Sequence, residues 1–217
     1  MTQLSTSFDV DRSVVAATRP YAWPWDGIID CSKLGLVVVQ APDSPPPATE
    51  QLGALPALIE SARRAGVRIV QVDTQPPFQH RMARLERTDD LAGPSPLRRS
   101  LRPDIVARSS GWNGFFESSL DSKLRQASIT HLLITGYWLE IGVHSTMRAA
   151  NDMGYECLLV EDAVAAFEPS LTVNSLSSIE MSGGIFGAIG NAAAVVEALA
   201  AAPQTSTSAP FQLEKQS

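Results

Sequence analysis

Any chemistry in this chain has to come from a short list of side chains. Glu140 and His144 lie four residues apart, Asp43 stands just before Pro45-Pro46-Pro47, and two thiols, Cys31 and Cys157, lie far apart with no CxxC or Cys/His spacing. Glu140 reads either as an acid/base or as a carboxylate stabilising a helix N-terminus. His144 reads as an acid/base or as a scaffold histidine, and Asp43 as a mobile acid or as a residue ordering its own turn. Cys157 falls inside an apolar run, where a thiol behaves as a small buried hydrophobe, and Cys31 precedes the first apolar run. The three histidines are widely separated, so no metal cluster is expected, and no glycine fingerprint for a cofactor turn is present.

The elements that would position these groups follow from the pattern of the chain. Leu34–Gln40, Val67–Thr74, Asp104–Ala107, His131–Tyr137, Tyr155–Glu161 and Gly183–Ile189 are short, continuous apolar runs rich in branched residues, and they read as six buried strands. Helices are expected over Ala48–Ala65, Ser118–Gln126, Val143–Met153, Thr172–Glu180 and Asn191–Ala201. Strands that are apolar on both faces and alternate with helices imply a three-layer α/β/α domain with a mostly parallel six-stranded sheet. We divide the chain into an N-terminal arm over 1–33, the domain over 34–202 and a mobile tail over 203–217. The arm's Arg19–Trp25 stretch holds too much proline for a helix and is expected to lie extended over the domain or a neighbour.

In an open parallel sheet the ligand crevice lies beyond the carboxyl ends of the strands. The residues expected to line it are Gln40, Gln75, Arg108, Trp138 and Gly142, with Trp112, Phe115 and Phe116 as walls. Arg108 reads as a partner for a ligand carboxylate or for Glu140. Between Pro76 and Arg102 six arginines (Arg81, Arg84, Arg87, Arg98, Arg99, Arg102) interrupt the rhythm, and this stretch reads as a lid facing an anion or as a solvated excursion.

With 217 residues, 17 Lys+Arg and 23 Asp+Glu, the net charge is −6, which excludes nucleic-acid binding by bulk charge. No run approaches the ~18 apolar residues of a membrane span, and Asp9 and Asp11 stand where a secretion signal needs a basic start. A cytoplasmic protein with no membrane partner is the expectation.

The segment Thr135 to Ala163, from Thr135-Gly136-Tyr137-Trp138 through Ile141-Gly142-Val143-His144-Ser145-Thr146 to Val160-Glu161-Asp162-Ala163, resembles a strand–elbow–helix–strand signature of the isochorismatase-like (cysteine) hydrolase superfamily. Gly114-Phe115-Phe116 followed by Ser118, Leu120 and Leu124-Arg125, the Arg19–Gly27 arm, and Gly183-Gly184-Ile185-Phe186-Gly187 resemble its branch that hydrolyses biuret-like and ureido amides. The resemblance implies an Asp at the end of the first strand, a Lys after the third and a nucleophilic Cys at the helix start after the fourth. Those positions hold Gln40, Ser109 or Arg108, and Gly142. Glycine carries no nucleophile and an amide is no general base.

True isochorismatases resemble this chain in having Gly at the same place, in a Tyr137, Ile141, Gly142 pattern and in Gln75-Pro76, but they use the missing Asp as an acid. The resemblance further implies a cis peptide at Tyr137–Trp138, an anion site made by the Trp138 and Gly142 amides and a homo-oligomer, with Tyr21–Trp25 as a candidate contact. Two readings follow. One is a catalytically degenerate homologue that binds a small molecule or partners an active paralogue. The other is an enzyme with rebuilt non-covalent chemistry, using Glu140, Asp43 or His144, on a small ether, lactone, ureide or biosynthetic intermediate.

Overall fold

The computed structural model describes residues 14–42, 47, 49–75 and 101–203. Its elements are β1 (Leu34–Gln40), α1 (Leu55–Arg64), β2 (Arg68–Thr74), β3 (Ile105–Ser109), α2 (Leu120–Gln126), β4 (His131–Tyr137), α3 (His144–Asp152), β5 (Glu156–Ala165), α4 (Thr172–Glu180), β6 (Ala188–Gly190) and α5 (Ala192–Ala201). The six strands form one sheet in the order β3-β2-β1-β4-β5-β6, and every pairing is parallel. The sheet is therefore wholly parallel rather than mostly so.

Apolar side chains alternate across the sheet and meet a helical layer on each face. Leu36, Val38 and Ile69 pack with Leu55, Leu58, Ile59 and Ala62 of α1 and with Val195 and Leu199 of α5. Val37, Val39, Val70 and Val72 pack on the other face with Leu120 and Leu124 of α2, Met147 and Ala150 of α3, and Ile179 of α4. The spacing of the α1 residues, at i, i+3, i+4 and i+7, is that of one helical stripe. Each buried Leu or Ile contributes about 1.5–3 kcal/mol relative to exposure.

Two expected elements are shorter than their sequence patterns. The helix expected over Ala48–Ala65 is a 3₁₀ turn at Thr49–Leu52 followed by α1, because Gly53 and Pro56 interrupt the hydrogen-bond ladder between them. The strand expected over Gly183–Ile189 begins only at Ala188. Gly187 precedes it with φ +111°, and a Cβ there would stand 2.3 Å from the Cys157 carbonyl, so the chain turns at that point.

The arm folds over its own domain. Trp23 is 1% exposed within the α1/α5 apolar cluster, and the Val15 N–H donates to the Trp23 carbonyl at 2.8 Å. Arg19 and Ile189 exchange two backbone hydrogen bonds, 3.0 and 2.7 Å, along the free edge of β6. The Arg19 guanidinium is bidentate to Glu161, at 3.1 and 2.6 Å, and also reaches Glu180 at 3.1 Å, which holds its pKa well above the ordinary value. Tail residues 204–217 and arm residues 1–13 lie outside the described residues. Among those described, no helix is long and apolar enough to cross a membrane.

Candidate functional site

The strand order reverses between β1 and β4, since the chain builds outward through β2 and β3 and then returns to the other side of β1. This switch point puts the ends of β1 and β4 side by side, with Val39 in register with Gly136. Gly136 has φ +110°, and a Cβ there would stand 2.0 Å from the Val39 carbonyl, so only glycine fits. The next peptide, Tyr137–Trp138, is cis, in agreement with the resemblance. A wide turn over Leu139–Val143 then leads into α3, with the Ile141 and Val143 amides donating to the Trp138 carbonyl at 3.1 Å each.

Gly142 lies buried in that turn. A Cβ built on it would meet Val39 Cγ1 at 3.4 Å, the Trp112 carbonyl at 3.5 Å and Thr74 Oγ1 at 3.7 Å. Thr74 and Ser109 are in register, and Val72, two residues before Thr74, faces the α2/α3/α4 layer, as Val39 does. Ser109, not Arg108, is therefore the β3 residue on the side that meets Gly142.

The hydroxyls here are committed. Thr74 donates to the Gln40 carbonyl at 2.9 Å, Ser109 donates to the Gly111 carbonyl at 2.8 Å, and Thr146 accepts from the Gly114 amide at 2.9 Å. None of these bonds is to a carboxylate or imidazole, the arrangement that would activate a hydroxyl nucleophile.

A second polar row occupies the other face. Gln40, Asp73 and Arg108 are consecutive cross-strand partners on β1, β2 and β3, and Val38 assigns their face to the α1 side. Asp73 is buried; Gln71 Nε2 donates to its Oδ1 at 2.8 Å, and Arg108 Nε lies 3.9 Å from its Oδ2. Gln40 is 1% exposed, and its Nε2 has no hydrogen-bond partner among the described residues. The sequence reading missed Asp73. It sat inside an apolar run, and only the register shows that it stands beside Gln40.

The remaining candidates are more dispersed. Glu140 accepts from the backbone amides of Phe167 at 2.9 Å and Glu168 at 2.7 Å, so its carboxylate fastens the loop after β5. The expected Arg108–Glu140 pair is replaced by Arg108–Asp73, because the register brings β3 beside β2. Trp138 is buried edge-on against Tyr137 and Phe167, with ring centroids 5.3 Å apart in each case. Trp112 is half-buried against the same cluster. Phe115 is buried in the other layer, its ring 5.8 Å from Tyr155, and Phe116 is exposed. Gln75 is exposed, with its backbone N–H donating to the Ser109 carbonyl.

His144 packs edge-on against Phe186, which also carries the Arg148 guanidinium at 3.9 Å. Burial, and then the Arg148 charge, hold its pKa below the ordinary value, and its Nε2 is buried without a partner among the described residues. Asp43, and all of the arginine-rich stretch except Leu101 and Arg102, lie outside the described residues. Both thiols are buried, and burial pushes both pKa values up. A groove of about 330 Å³ lined by Tyr21, Trp25, Glu156 and Gly184 opens at the other end of the sheet, at the first residue of β5. Among the described residues no group of three or more His, Cys, Asp or Glu side chains could hold a metal ion.

Comparison with known proteins places this geometry in context. A sequence model of the isochorismatase domain matches residues 28–191. The ureidoacrylate amidohydrolase RutB of Variovorax paradoxus is 43% identical over 60 residues, which are 28% of this chain and 24% of that protein. RutB of Stutzerimonas stutzeri is 32% identical over 102 residues, 46% of this chain and 40% of that protein. The matched segments thus span between a quarter and two fifths of these relatives. An isochorismatase family protein from Burkholderia thailandensis superposes with a TM-score of 0.60 at 23% identity, over 80% of this chain and 98% of the other. N-carbamoylsarcosine amidase from Thermoplasma acidophilum gives 0.56 at 24%, over 74% and 96%. At these identities the likeness is one of fold.

Proposed function

The chain belongs to the isochorismatase domain family of hydrolases, and on that premise we propose that it has lost covalent cysteine chemistry and serves as a small-molecule-binding homologue, alone or as the partner of an active relative. One observation carries this reading. At the helix start where the resemblance calls for a thiol stands Gly142, whose missing side chain would face Val39, a backbone carbonyl and the Thr74 hydroxyl. Gly142 itself offers no atom to attack a carbonyl, and the Thr74 hydroxyl is committed to the Gln40 carbonyl; Gln40, expected at the acid position, points to the opposite face of the sheet, and Val39, which does face Gly142, can take no proton. The two thiols that exist are buried, and their raised pKa values keep them protonated near neutral pH. Trp25, 76% exposed on the arm, is the contact we assign to a second copy or an active relative.

The test is multiple-turnover hydrolysis by the purified protein over ureides, amides and isochorismate, with and without a thiol-alkylating reagent. No turnover in either arm is expected. Turnover abolished by alkylation would overturn the proposal. A second reading, non-covalent hydrolysis of a small ether, lactone, ureide or biosynthetic intermediate, draws on Asp73, a buried carboxylate at the carboxyl end of the sheet. Turnover that survives alkylation and falls in Asp73→Asn would favour it.

A further inference from the structure

The groove between the arm and the start of β5 has a volume of about 330 Å³, within the range of small-molecule pockets, about 300–1,000 Å³. Two aromatic rings wall it. Tyr21 lies against the backbone of Gly184, where an added Cβ would stand 2.9 Å from Tyr21 Cδ1 and 3.0 Å from Cε1, so only glycine lets the ring approach so closely. Trp25 meets Tyr21 edge-on, with ring centroids 5.3 Å apart and planes inclined at 68°. The pair makes an open corner, and with Trp25 76% exposed most of its indole is uncovered.

Glu156 sets the charge of the groove. Its Oε1 accepts from the Trp25 backbone N–H, which fixes the carboxylate beside the indole, and its Oε2 lies 3.1 Å from His131 Nε2. His131 meets both of its neighbours as the neutral Nε2–H tautomer, with Nδ1 accepting from the Thr130 hydroxyl at 2.8 Å, and the negative charge then stays on Glu156. Burial first, and that charge second, push the Tyr21 phenol above its ordinary range. Among the described residues neither a lysine nor an arginine lines the groove. Aromatic faces are negative and so is the carboxylate, so an anion is repelled here and a neutral apolar ligand would desolvate Glu156 without compensation. A cation satisfies both groups.

We propose that this groove binds a small organic cation of the alkylammonium class, its charged head in the corner of the Tyr21 and Trp25 rings and facing the Glu156 carboxylate. The proposal rests on the reading of this chain as a small-molecule-binding homologue and puts a binding site on the arm side of the sheet, away from Gly142. Trp25 also carries the partner contact, so the two occupants compete for one indole.

The experiment titrates the ¹⁵N-labelled full chain with tetramethylammonium and choline, beside acetate and dimethylbutanol, the uncharged carbon isostere of choline. The readouts are the Trp25 indole N–H resonance and a calorimetric Kd, with sedimentation equilibrium giving the mass at each step. Both cations should move the resonance, and acetate and the isostere should leave it in place. Trp25→Leu should weaken cation binding about tenfold. Glu156→Gln should weaken it at least as much while its amide oxygen still accepts from the Trp25 backbone N–H. Isostere binding as tight as that of choline, or choline binding equal to wild type in Glu156→Gln, would overturn the proposal. So would an indole that no cation moves, or one that moves only as the chain dissociates, which would leave Trp25 as a partner contact alone. Trp25→Leu alters an exposed side chain and tests the site even where Glu156→Gln fails to fold; a urea curve for each variant separates lost binding from lost fold. The loss of cysteine chemistry is decided by turnover and not by this titration, so either reading can fail without the other.

Discussion

Replacing Gly142 with alanine should stabilise this protein. The turn into α3 ends in helical backbone, where exchanging glycine for alanine contributes about 0.5–1 kcal/mol. The new methyl group would find Val39 Cγ1 at 3.4 Å, the Trp112 carbonyl at 3.5 Å and Thr74 Oγ1 at 3.7 Å, all ordinary contact distances, which adds up to about 0.8 kcal/mol of burial. The sum is about 1–1.5 kcal/mol, or roughly 3–5 °C in Tm for a chain of this size. Urea denaturation followed by circular dichroism, with a parallel thermal scan, measures it.

Two other glycines calibrate the reasoning. At Gly114 an added Cβ would lie 2.6 Å from Val72 Cγ1 and 3.1 Å from Thr146, so Gly114→Ala should lose about 1–3 kcal/mol. At Gly136 the clash is with backbone, 2.0 Å from the Val39 carbonyl, and Gly136→Ala should not yield folded protein. Destabilisation of Gly142→Ala by more than about 1 kcal/mol would refute the geometry argued for this turn. The expected gain instead means that packing does not require glycine here, and that the space over Gly142 is kept for something other than the fold.

Gln40→Met should raise stability by about 1 kcal/mol, seen as a higher urea midpoint with unchanged slope, because it removes a buried unmet donor. Glu140→Ala should lower stability by about 1–3 kcal/mol and speed proteolytic cleavage near Glu168, since two backbone amides lose their acceptor. His144 has a pKa held below its ordinary value, so the unfolded chain takes up that proton more readily. Its contribution is full above about pH 6.5 and is lost as pH falls toward the lower folded value. His144→Leu should flatten this part of the stability profile between pH 7 and 5; an unchanged slope would exclude the histidine.

The central strands were legible because their apolar runs are unbroken: the expected bounds of β1 and β4 match the observed ones residue for residue. β6 was overdrawn because Gly187 carries no hydrophobic signal yet dictates the turn. The site was less legible, since a residue's neighbours across a parallel sheet depend on register, which a single sequence does not encode. Asp73 therefore passed as part of an apolar run, and Arg108 and Ser109 stayed interchangeable until alternation assigned them to opposite faces. Glu140 looked like a free acid because its partners, the amides of Phe167 and Glu168, are backbone groups with no side-chain signature.

The arm's attachment also bears on the order in which the molecule is made. Arg19 leaves the ribosome early, but its carboxylate partner Glu161 lies 142 positions later and Glu180 lies 161 positions later. The β6 backbone it pairs with, at Ile189, comes later still. Through most of synthesis, therefore, the arm's guanidinium and backbone groups can be satisfied only by water or by a chaperone. Docking of the arm is a late event, and a nascent chain stalled before residue 189 would present it undocked to cellular proteases.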